Sequence, residues 1–470
     1  MVPAPAHPRG LARGPRAPRA ADVGAARPAL ALRHRRRRRR RGGALRHDRP
    51  HRPRGGRPAL RRVLRDPADE EGPHRHMAYS LAEVGFLAEH SGEIDDAAEG
   101  LGLTPATGIA DAQAMRRRFG EYGRAAMELA ETRARHRERL PDGWLADAES
   151  AQQATHPAVA RLRAGRLARA LGQGAAVHDL TCSIGAEGPT ATEAGLFYLG
   201  SDIDPARLAM AAHNIGPGRV VRADALETTS TADALVADPA RRAGGRRIAR
   251  PEDLSPPLPK LLAAHAGREL AVKCAPGIDY VDWVAGGNLA SVVSLAGQVR
   301  EATLYTAGLS FGERREAVVL DKEGRVARRL TDLDPDAPGE ELAREAGSVI
   351  VEPDGAVIRA GLVRQAAVAD GLGMLDPRVA FLTGEEIPPG QSGFRVLDAV
   401  PMRGLKVAVA KADASSLEIL VRGVDVDPDK LRKKLKLKGH TPRALVIARV
   451  GDSAVCFVCD ARERAPGPAE

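Results

Sequence analysis

Four short apolar segments between residues 174 and 240 end at or just before an aspartate, and this repetition constrains the fold more than any other feature of the chain. The aspartates are Asp179, Asp202, Asp224 and Asp238. Short apolar segments that alternate with helical stretches are typical of parallel strands in an α/β sheet. The carboxyl ends of such strands lie at one edge of the sheet, where ligands bind. A single aspartate would mean little, because aspartate also caps helices, but four in strand order predict one shared site.

The alternation of strands and helices runs from residue 174 to about residue 321 and predicts a Rossmann-like, doubly wound α/β sheet. The predicted strands cover 176–180, 196–201, 218–222, 234–237, 270–274, 289–295, 302–305 and 316–320. The last strands are not separated by long helices, so we expect an antiparallel strand near that edge. Before the sheet, apolar residues recur at helical spacing, with a long helix predicted over 115–139 and another over 157–170.

The remainder of the chain predicts a small α+β unit. Its predicted helices cover 340–347, 357–372 and 428–435, and its predicted strands cover 393–400, 416–423, 443–450 and 454–461. The chain therefore divides into four predicted parts: a disordered arginine-rich segment (1–76), a helical region (77–170), the sheet domain (171–330) and the α+β domain (340–463).

The turn after the first strand consists of small residues and is built to let a ligand approach the backbone. Gly185 has no Cβ to obstruct that approach, and Thr181 and Cys182 belong to the same turn. The G-x-G-x-x-G pattern of dinucleotide-binding proteins is absent, because Ser183 takes the place of the first glycine. Asp179 would also repel a pyrophosphate. We therefore expect an adenosyl ligand that carries a positive sulfonium and an amino-acid tail.

The later strand ends complete this predicted cofactor site. Asp202 is placed to accept hydrogen bonds from both ribose hydroxyls, and Asp204 follows it at the start of a helix. Asp224 is placed to accept a hydrogen bond from an adenine amino group. At the fourth strand end, the turn formed by Asp238 and Pro239 would lie beside the reacting methyl group.

The formal net charge of +10 suggests a nucleic-acid-binding protein, but the charge is unevenly distributed along the chain. Residues 1–76 hold 22 arginines and 6 acidic residues, whereas the rest of the chain holds 49 basic and 55 acidic residues. The first segment is rich in proline and glycine, and we expect it to be disordered. It is interpreted either as an RNA-binding arm or as a stretch that precedes the true translation start at Met77.

A cluster of cations stands out within the otherwise acidic remainder. It contains no acidic residue and predicts a phosphate-binding face for RNA: Lys430, Arg432, Lys433, Lys434, Lys436, Lys438 and Arg443. Aromatic residues make up 3% of the chain, which favours recognition of RNA shape and backbone over base stacking.

Cysteine usage and hydropathy limit the remaining classes of protein. Cys456 and Cys459 form one C-x-x-C pair, but a zinc ribbon needs a second pair, so no metal site is expected. The pair lies in a predicted strand, where residues three apart face opposite sides. We expect reduced cysteines and a cytoplasmic location. No run of about 18 apolar residues is present, so no membrane span is expected.

With these features in place, the chain resembles the class I S-adenosylmethionine-dependent methyltransferases, specifically the actinobacterial group with a THUMP-like C-terminal domain. The resemblance extends over about 77–461. It rests on five short segments, Asp179–Gly185, Ser201–Asp204, Asp238–Arg242, Lys273–Asp279 and Arg422–Asp427.

The resemblance implies a seven-stranded methyltransferase sheet, S-adenosyl-L-methionine as cofactor and RNA as substrate. It implies that Asp179 and Gly185 shape the methionine end of the site, that Asp202 holds the ribose and that Asp224 holds the adenine. Asp238 would line the catalytic mouth, and the segment 153–155 would cover the cofactor.

The expected reaction aligns a nucleophile with an activated methyl group, with Asp238 accepting a proton or hydrogen bond from the nucleophile. Related enzymes that methylate exocyclic amines have an aromatic residue where this chain has Arg241. That difference disfavours adenine or cytosine amines and leaves ring nitrogen, ribose or another acceptor, with Arg241 available to grip a phosphate. Methylation of pyrimidine carbon would need a cysteine nucleophile, for which Cys182 and Cys274 are the candidates.

The sequence thus predicts an S-adenosylmethionine-dependent methyltransferase acting on tRNA or rRNA, with Asp238, Pro239 and Arg241 as catalytic residues. Two alternatives stay open at this point. One is a small-molecule methyltransferase, which would leave the lysine cluster without a task. The other is a non-catalytic cofactor-binding factor associated with RNA.

Overall fold

The computed structural model describes residues 79–241 and 251–467, which lie within one compact unit. The predictions for residues 1–76 and for a start at Met77 lie outside the described residues.

Six helices lie between residue 79, where the description begins, and the first sheet: α1 (Leu81–Glu89), α2 (Ser91–Ala98), α3 (Gly108–Phe119), α4 (Gly123–Arg135), α5 (Ala148–Gln153) and α6 (Pro157–Leu171). The single long helix predicted over 115–139 is wrong. Gly120 takes a positive φ of 59° and ends α3, and α4 begins at Gly123. A Cβ on Gly123 would lie 2.5 Å from the Arg116 Cα, so glycine is what allows the two helices to approach.

The described residues of the central part, 176–241 and 251–331, form eleven strands and four helices. The strands are β1 (Ala176–Asp179), β2 (Phe197–Asp202), β3 (Val220–Arg222), β4 (Ala234–Ala237), β5 (Ala240–Arg241), β6 (Leu254–Ser255), β7 (Glu269–Cys274), β8 (Leu289–Leu295), β9 (Gln298–Tyr305), β10 (Arg315–Leu320) and β11 (Val326–Thr331). The helices are α7 (Gly188–Glu193), α8 (Pro205–Ile215), α9 (Leu258–Ala264) and α10 (Val281–Ala285).

Nine of these strands form one sheet in the order β11-β10-β8-β9-β7-β4-β1-β2-β3, and β5 pairs with β6. The strands β3, β2, β1, β4 and β7 are mutually parallel, and β9 is antiparallel to both β7 and β8, as expected. The Rossmann-like α/β class is confirmed, and the sheet has nine strands where the resemblance implies seven. Eight of the nine, β10 included, coincide with a predicted strand, and only β11 was not predicted. The strand β11 carries mostly exposed or half-buried side chains after a tight turn, so its sequence resembles a loop.

The last part of the chain forms a second, mostly antiparallel sheet in the order β13-β14-β12-β15-β18-β17-β16, with β19 paired to β15. Its strands are β12 (Val349–Val351), β13 (Gly373–Asp376), β14 (Val379–Gly384), β15 (Ser392–Pro401), β16 (Ala414–Arg422), β17 (Thr441–Val450), β18 (Ser453–Asp460) and β19 (Glu463–Arg464). Its helices are α11 (Gly339–Leu342), α12 (Gly355–Ala360), α13 (Val363–Asp370), α14 (Leu405–Lys411) and α15 (Pro428–Leu435).

The α+β prediction holds for the later elements of this sheet and fails for the earlier ones. The helix α15 matches its predicted bounds, because Asp427 caps it and Pro428 opens it. The predicted helix over 357–372 is two helices, separated by a left-handed Gly361, and that over 340–347 is a single turn. Strands β12–β14 were not predicted. Cys456 and Cys459 pack into separate cores on opposite faces of β18, as the strand spacing requires.

Candidate active site

The carboxyl ends of β1, β2 and β4 and the turns that follow them enclose a cavity of about 590 Å³. Asp179 pairs in register with Gly200 of β2 and Val236 of β4, which places the three strand ends side by side. Seven of the eight predicted cofactor-binding residues line this cavity: Asp179, Thr181, Cys182, Asp202, Asp204, Asp224 and Asp238. The eighth, Gly185, lies between the lining residues Ile184 and Ala186.

Asp179 lies at the base of the cavity and is buried. Its Oδ1 accepts a hydrogen bond from the Thr181 amide at 3.1 Å, and its Oδ2 accepts one from the Tyr198 hydroxyl at 2.9 Å. Burial, reinforced by the negative charge of Glu187, raises the pKa of Asp179 to about 7. A carboxyl group held in this way is ionised most readily when a cation lies beside it.

The turn after β1 is held in a tight conformation by its own backbone. Ser183 and Gly185 both have positive φ, at 50° and 82°, and the Gly185 amide donates to the Cys182 carbonyl at 2.8 Å. A Cβ on Gly185 would lie 3.1 Å from the Cδ1 of Ile215. Glycine therefore meets both a backbone and a packing requirement at this position.

Asp202 and Asp204 are both engaged by backbone amides. Asp202 accepts from the Ser183 amide at 3.0 Å and from the Asp204 amide at 2.9 Å, which ties the end of β2 to the turn after β1. Asp204 caps α8 by accepting from the amides of residues 206 and 207 at 2.8 and 3.1 Å. Its carboxylate thus has a structural task as well as a place in the cavity wall.

The outer wall combines an acid with apolar side chains. Asp224 is exposed and accepts from the Leu226 amide at 2.8 Å. Ile203 is 63% exposed although it is apolar, and it lines the cavity together with Leu226 and Pro257. Sequence reasoning missed Ile203, although an apolar residue between Asp202 and Asp204 was a usable signal. These side chains offer an apolar surface to a flat ring.

Asp238 forms an ion pair at the mouth of the cavity. Its Oδ2 lies 2.6 Å from the Nζ of Lys273, which also donates to the Thr155 Oγ1 at 2.8 Å. The Asp238 amide donates to the Thr181 Oγ1 at 2.7 Å, so Thr181 fixes the backbone of the turn. Burial alone would lower the pKa of Lys273, but Asp238, with Glu301 and Glu187, outweighs that effect and raises it.

From the sequence, Lys273 was noted only as the first residue of the segment Lys273–Asp279, and its contact with Asp238 was not predicted. The segment 153–155 does line the cavity, and the Gln153 carbonyl lies 3.5 Å from the Lys273 Nζ.

A buried ion network supports the rear of the cavity. Arg163 of α6 is 2% exposed and contacts the carboxylates of both Glu187 and Glu301. Glu187 lies directly before α7 and Glu301 lies on β9. One guanidinium group therefore connects a helix, the turn region and the sheet.

The two cysteines near the site are poorly suited to act as nucleophiles. Burial, together with Asp179 and Asp202, raises the pKa of Cys182 well above its usual range. Burial also raises the pKa of Cys274 to about 12. A neutral thiol is a weak nucleophile, so this environment disfavours carbon methylation through a cysteine adduct.

The other two predicted catalytic residues, Pro239 and Arg241, follow Asp238 along the chain. Pro239 is buried and lines a second cavity next to the first. Arg241 belongs to the short strand β5, and its side chain lies outside the described part of the structure.

Six members of the cation cluster are exposed on or just after α15: Lys430, Arg432, Lys433, Lys434, Lys436 and Lys438. Lys430 and Arg432 each contact an aspartate at the start of the helix, at 3.4 and 2.6 Å. Arg443 points elsewhere, because it pairs with Asp460 of the neighbouring strand.

Within 79–241 and 251–467, no group of three or more His, Cys, Asp or Glu side chains is arranged to hold a metal ion. No helix in that same part of the chain is long and apolar enough to cross a membrane.

Comparison with known proteins identifies the family. Uncharacterized S-adenosylmethionine-dependent methyltransferases of Mycobacterium tuberculosis strains H37Rv and CDC 1551 are 43% identical over 361 residues, which span 73% of this chain and 98% of each relative. A crystal structure of a candidate methyltransferase from Porphyromonas gingivalis W83 shares the fold, with a TM-score of 0.60 at 19% identity, over 83% of this chain and 100% of that one. The THUMP domain-like family model matches residues 392–461. The chain therefore belongs to the S-adenosylmethionine-dependent methyltransferases, with S-adenosylmethionine as its cofactor and a THUMP-like domain at residues 392–461.

Proposed function

We propose that this methyltransferase acts on RNA, either tRNA or rRNA, in the cytoplasm. The observation that carries the proposal is a THUMP-like domain whose α15 presents exposed lysines and arginine on the same chain as a methyltransferase cavity. Phosphate backbones bind such cationic surfaces. The four cysteines are all buried, unpaired thiols, in keeping with a reducing compartment.

The division of labour proposed for the chain follows the predicted boundaries. Helices of 77–170 and the sheet of 171–330 would build the catalytic unit, and the region 340–463 would help to hold the RNA. The THUMP-like match at residues 392–461 lies within the region proposed to hold the RNA, which supports that assignment.

We propose that the cofactor binds in the first cavity, in the orientation that the hydrogen-bonding groups of the lining residues favour. Asp179 and the turn at Gly185 would hold the methionine end, because the buried carboxyl prefers a cation. Asp202, at the end of β2, would accept from the ribose hydroxyls. Asp224 would accept from the adenine amino group, with the ring against Ile203.

When bound, the cofactor supplies an activated methyl group on a positive sulfur. The protein must then align the acceptor atom with it and exclude competing water. Asp238 is placed at the mouth of the cavity to accept a hydrogen bond from the acceptor. Because the Lys273 Nζ already holds the Asp238 carboxylate at 2.6 Å, we propose that Asp238 orients the acceptor and that Lys273 is a positioning residue.

Mass spectrometry of nucleosides tests this proposal. In tRNA and rRNA from cells with and without the gene, we expect one methylated nucleoside to disappear with the gene. Wild-type protein should restore it, Asp238→Asn should not, and Asp282→Asn, which changes an exposed acid on α10, should restore it fully. A nucleoside profile unchanged by deletion of the gene would refute an RNA substrate.

A further inference from the structure

A second cavity of about 470 Å³ adjoins the cofactor cavity on the far side of Asp238. The two cavities share Asp238, Lys273 and the segment 153–155 as a common wall. The remaining lining combines apolar residues, Pro239 among them, with the cationic Arg139 and Arg300. A molecule in the second cavity would therefore lie next to the proposed reacting group and outside the cofactor site.

The cationic side of this cavity consists of Arg139, His156 and Arg300. Neither arginine forms an ion pair with a carboxylate of the described residues, although many other arginines of the chain do. The Arg139 Nη1 donates to the Gln152 carbonyl at 2.7 Å, and its remaining N–H groups make no other hydrogen bond with the residues that the structure describes. Arg300 is exposed at the end of the cavity.

His156 adds a third donor. Its Nδ1 accepts from the Ala158 amide at 3.2 Å as the cap of α6, so the neutral ring carries its proton on Nε2. Burial, together with the charges of Arg300 and Arg139, lowers the pKa of His156. Both guanidinium groups are thus close enough for the ring to experience their charge.

Two acidic residues, Asp238 and Glu301, line the second cavity, but they do not neutralise Arg139 and Arg300, because each is paired with another cation. Glu301 also lines the cavity, but it is buried and paired with Arg163. Asp238 is paired with Lys273. The cavity therefore keeps an excess of positive charge at the end defined by Arg139 and Arg300.

We propose that the second cavity receives the acceptor nucleotide and that Arg139, His156 and Arg300 bind its phosphate. This inference rests on the proposed RNA methylation and specifies the substrate as a nucleotide that carries a phosphate at the site of reaction. Arginine forks and an imidazole N–H match the oxygens of a phosphate. The apolar lining, including Val159 and Leu254, provides a surface for the rest of the nucleotide.

Ligand-observed NMR titrations test the subsite with small probes, and variants of the cavity arginines distinguish it from phosphate binding at α15. The full-length protein is saturated with S-adenosylhomocysteine and titrated with the four ribonucleosides and their 5′-monophosphates. We expect at least one monophosphate to bind about tenfold more tightly than its nucleoside, since charge-assisted contacts to phosphate supply that much affinity. Arg300→Gln and Arg139→Gln should each remove most of this preference.

Arg117→Gln, which changes an exposed arginine on α3 outside both cavities, should leave the preference intact. Thermal unfolding and calorimetric binding of S-adenosylmethionine should match the wild type in all three variants, which excludes misfolding.

The outcomes separate this inference from the proposed function. Equal binding of nucleosides and monophosphates, or a preference that survives in both cavity variants, would overturn the subsite even if RNA is methylated. A preference lost in both variants would support the subsite even if the nucleoside profile of cellular RNA does not depend on the gene.

Discussion

Asp179 shows how one residue acquires a property that its sequence position does not reveal. From sequence it is a negative charge that repels a pyrophosphate. In the structure it is buried beside Glu187, and its pKa rises to about 7. The same residue is therefore a titratable group at neutral pH, and its charge depends on what lies in the cavity.

This pKa predicts a pH-dependent affinity for the cofactor. Below pH 7 the free protein holds Asp179 protonated and neutral, whereas above pH 7 it is ionised and attracts a cation. We expect calorimetry to show S-adenosylmethionine binding about tenfold more tightly at pH 8 than at pH 6. Asp179→Asn should bind about 10- to 100-fold more weakly at pH 8 and lose the slope.

Asp224→Asn is the matched control, because Asp224 lines the same cavity but is exposed. This variant should bind more weakly while keeping the wild-type pH profile. If wild type and Asp179→Asn show the same dependence on pH, Asp179 does not hold the cationic end of the cofactor.

At the scale of elements, α6 is attached to the site by its buried face. Arg163 reaches Glu187 before α7 and Glu301 on β9, and all three side chains are at least largely buried. An unpaired buried charge is costly, so the three groups stabilise the fold only together. Elements that are distant in sequence are thus fixed around the cofactor cavity by charge as well as by apolar packing.

Removal of Arg163 should therefore destabilise the protein strongly. We expect Arg163→Met to lower the free energy of unfolding by about 3–5 kcal/mol, because two largely buried carboxylates lose their guanidinium partner. Urea unfolding followed by circular dichroism measures this change.

Arg161→Met serves as its control on the same helix. Arg161 contacts Glu193 with both side chains 60% exposed, and such surface pairs contribute less than about 1 kcal/mol. Equal losses in the two variants would show that the buried network has no special role in stability.

On the scale of the whole molecule, the exposed positive charge is concentrated on a few elements. Beyond residue 76 the chain has more acidic than basic residues, yet exposed cations gather on α15. Leu405 of α14 and Leu435 of α15 pack into the same core, so both helices cover one face of the second sheet. Lys406 and Lys411 of α14 extend the positive charge over that layer.

This arrangement predicts a salt-dependent RNA affinity that resides in α15. We expect Lys433→Gln/Lys434→Gln to weaken RNA binding and to reduce the slope of log affinity against log salt by about 1.5, because two phosphate contacts are lost. Fluorescence anisotropy with labelled tRNA at several salt concentrations measures both quantities.

Arg116→Gln/Arg117→Gln removes two exposed cations from α3 and provides the control. It should leave the slope unchanged, and both double variants should bind S-adenosylmethionine normally. An unchanged slope in the lysine variant would show that α15 does not contact RNA.

The sequence by itself determined the features that depend on local pattern. Apolar periodicity located β1, β2, β4, β7, β8 and β10 to within about a residue, and the aspartates at the strand ends predicted the edge where the first cavity lies. The family resemblance and the THUMP-like domain were recognised from short segments, and both are confirmed. These features survive folding because strand direction brings the carboxyl ends of parallel strands to one edge.

Only the tertiary structure decided the properties that depend on distant neighbours. The contact between Asp238 and Lys273 joins residues 35 positions apart, and that between Arg163 and Glu301 joins residues 138 apart. The raised pKa of Asp179 likewise results from burial beneath several elements. A sequence shows which groups can ionise. Their pKa values and contacts depend on burial and on the neighbouring groups that the tertiary structure brings close.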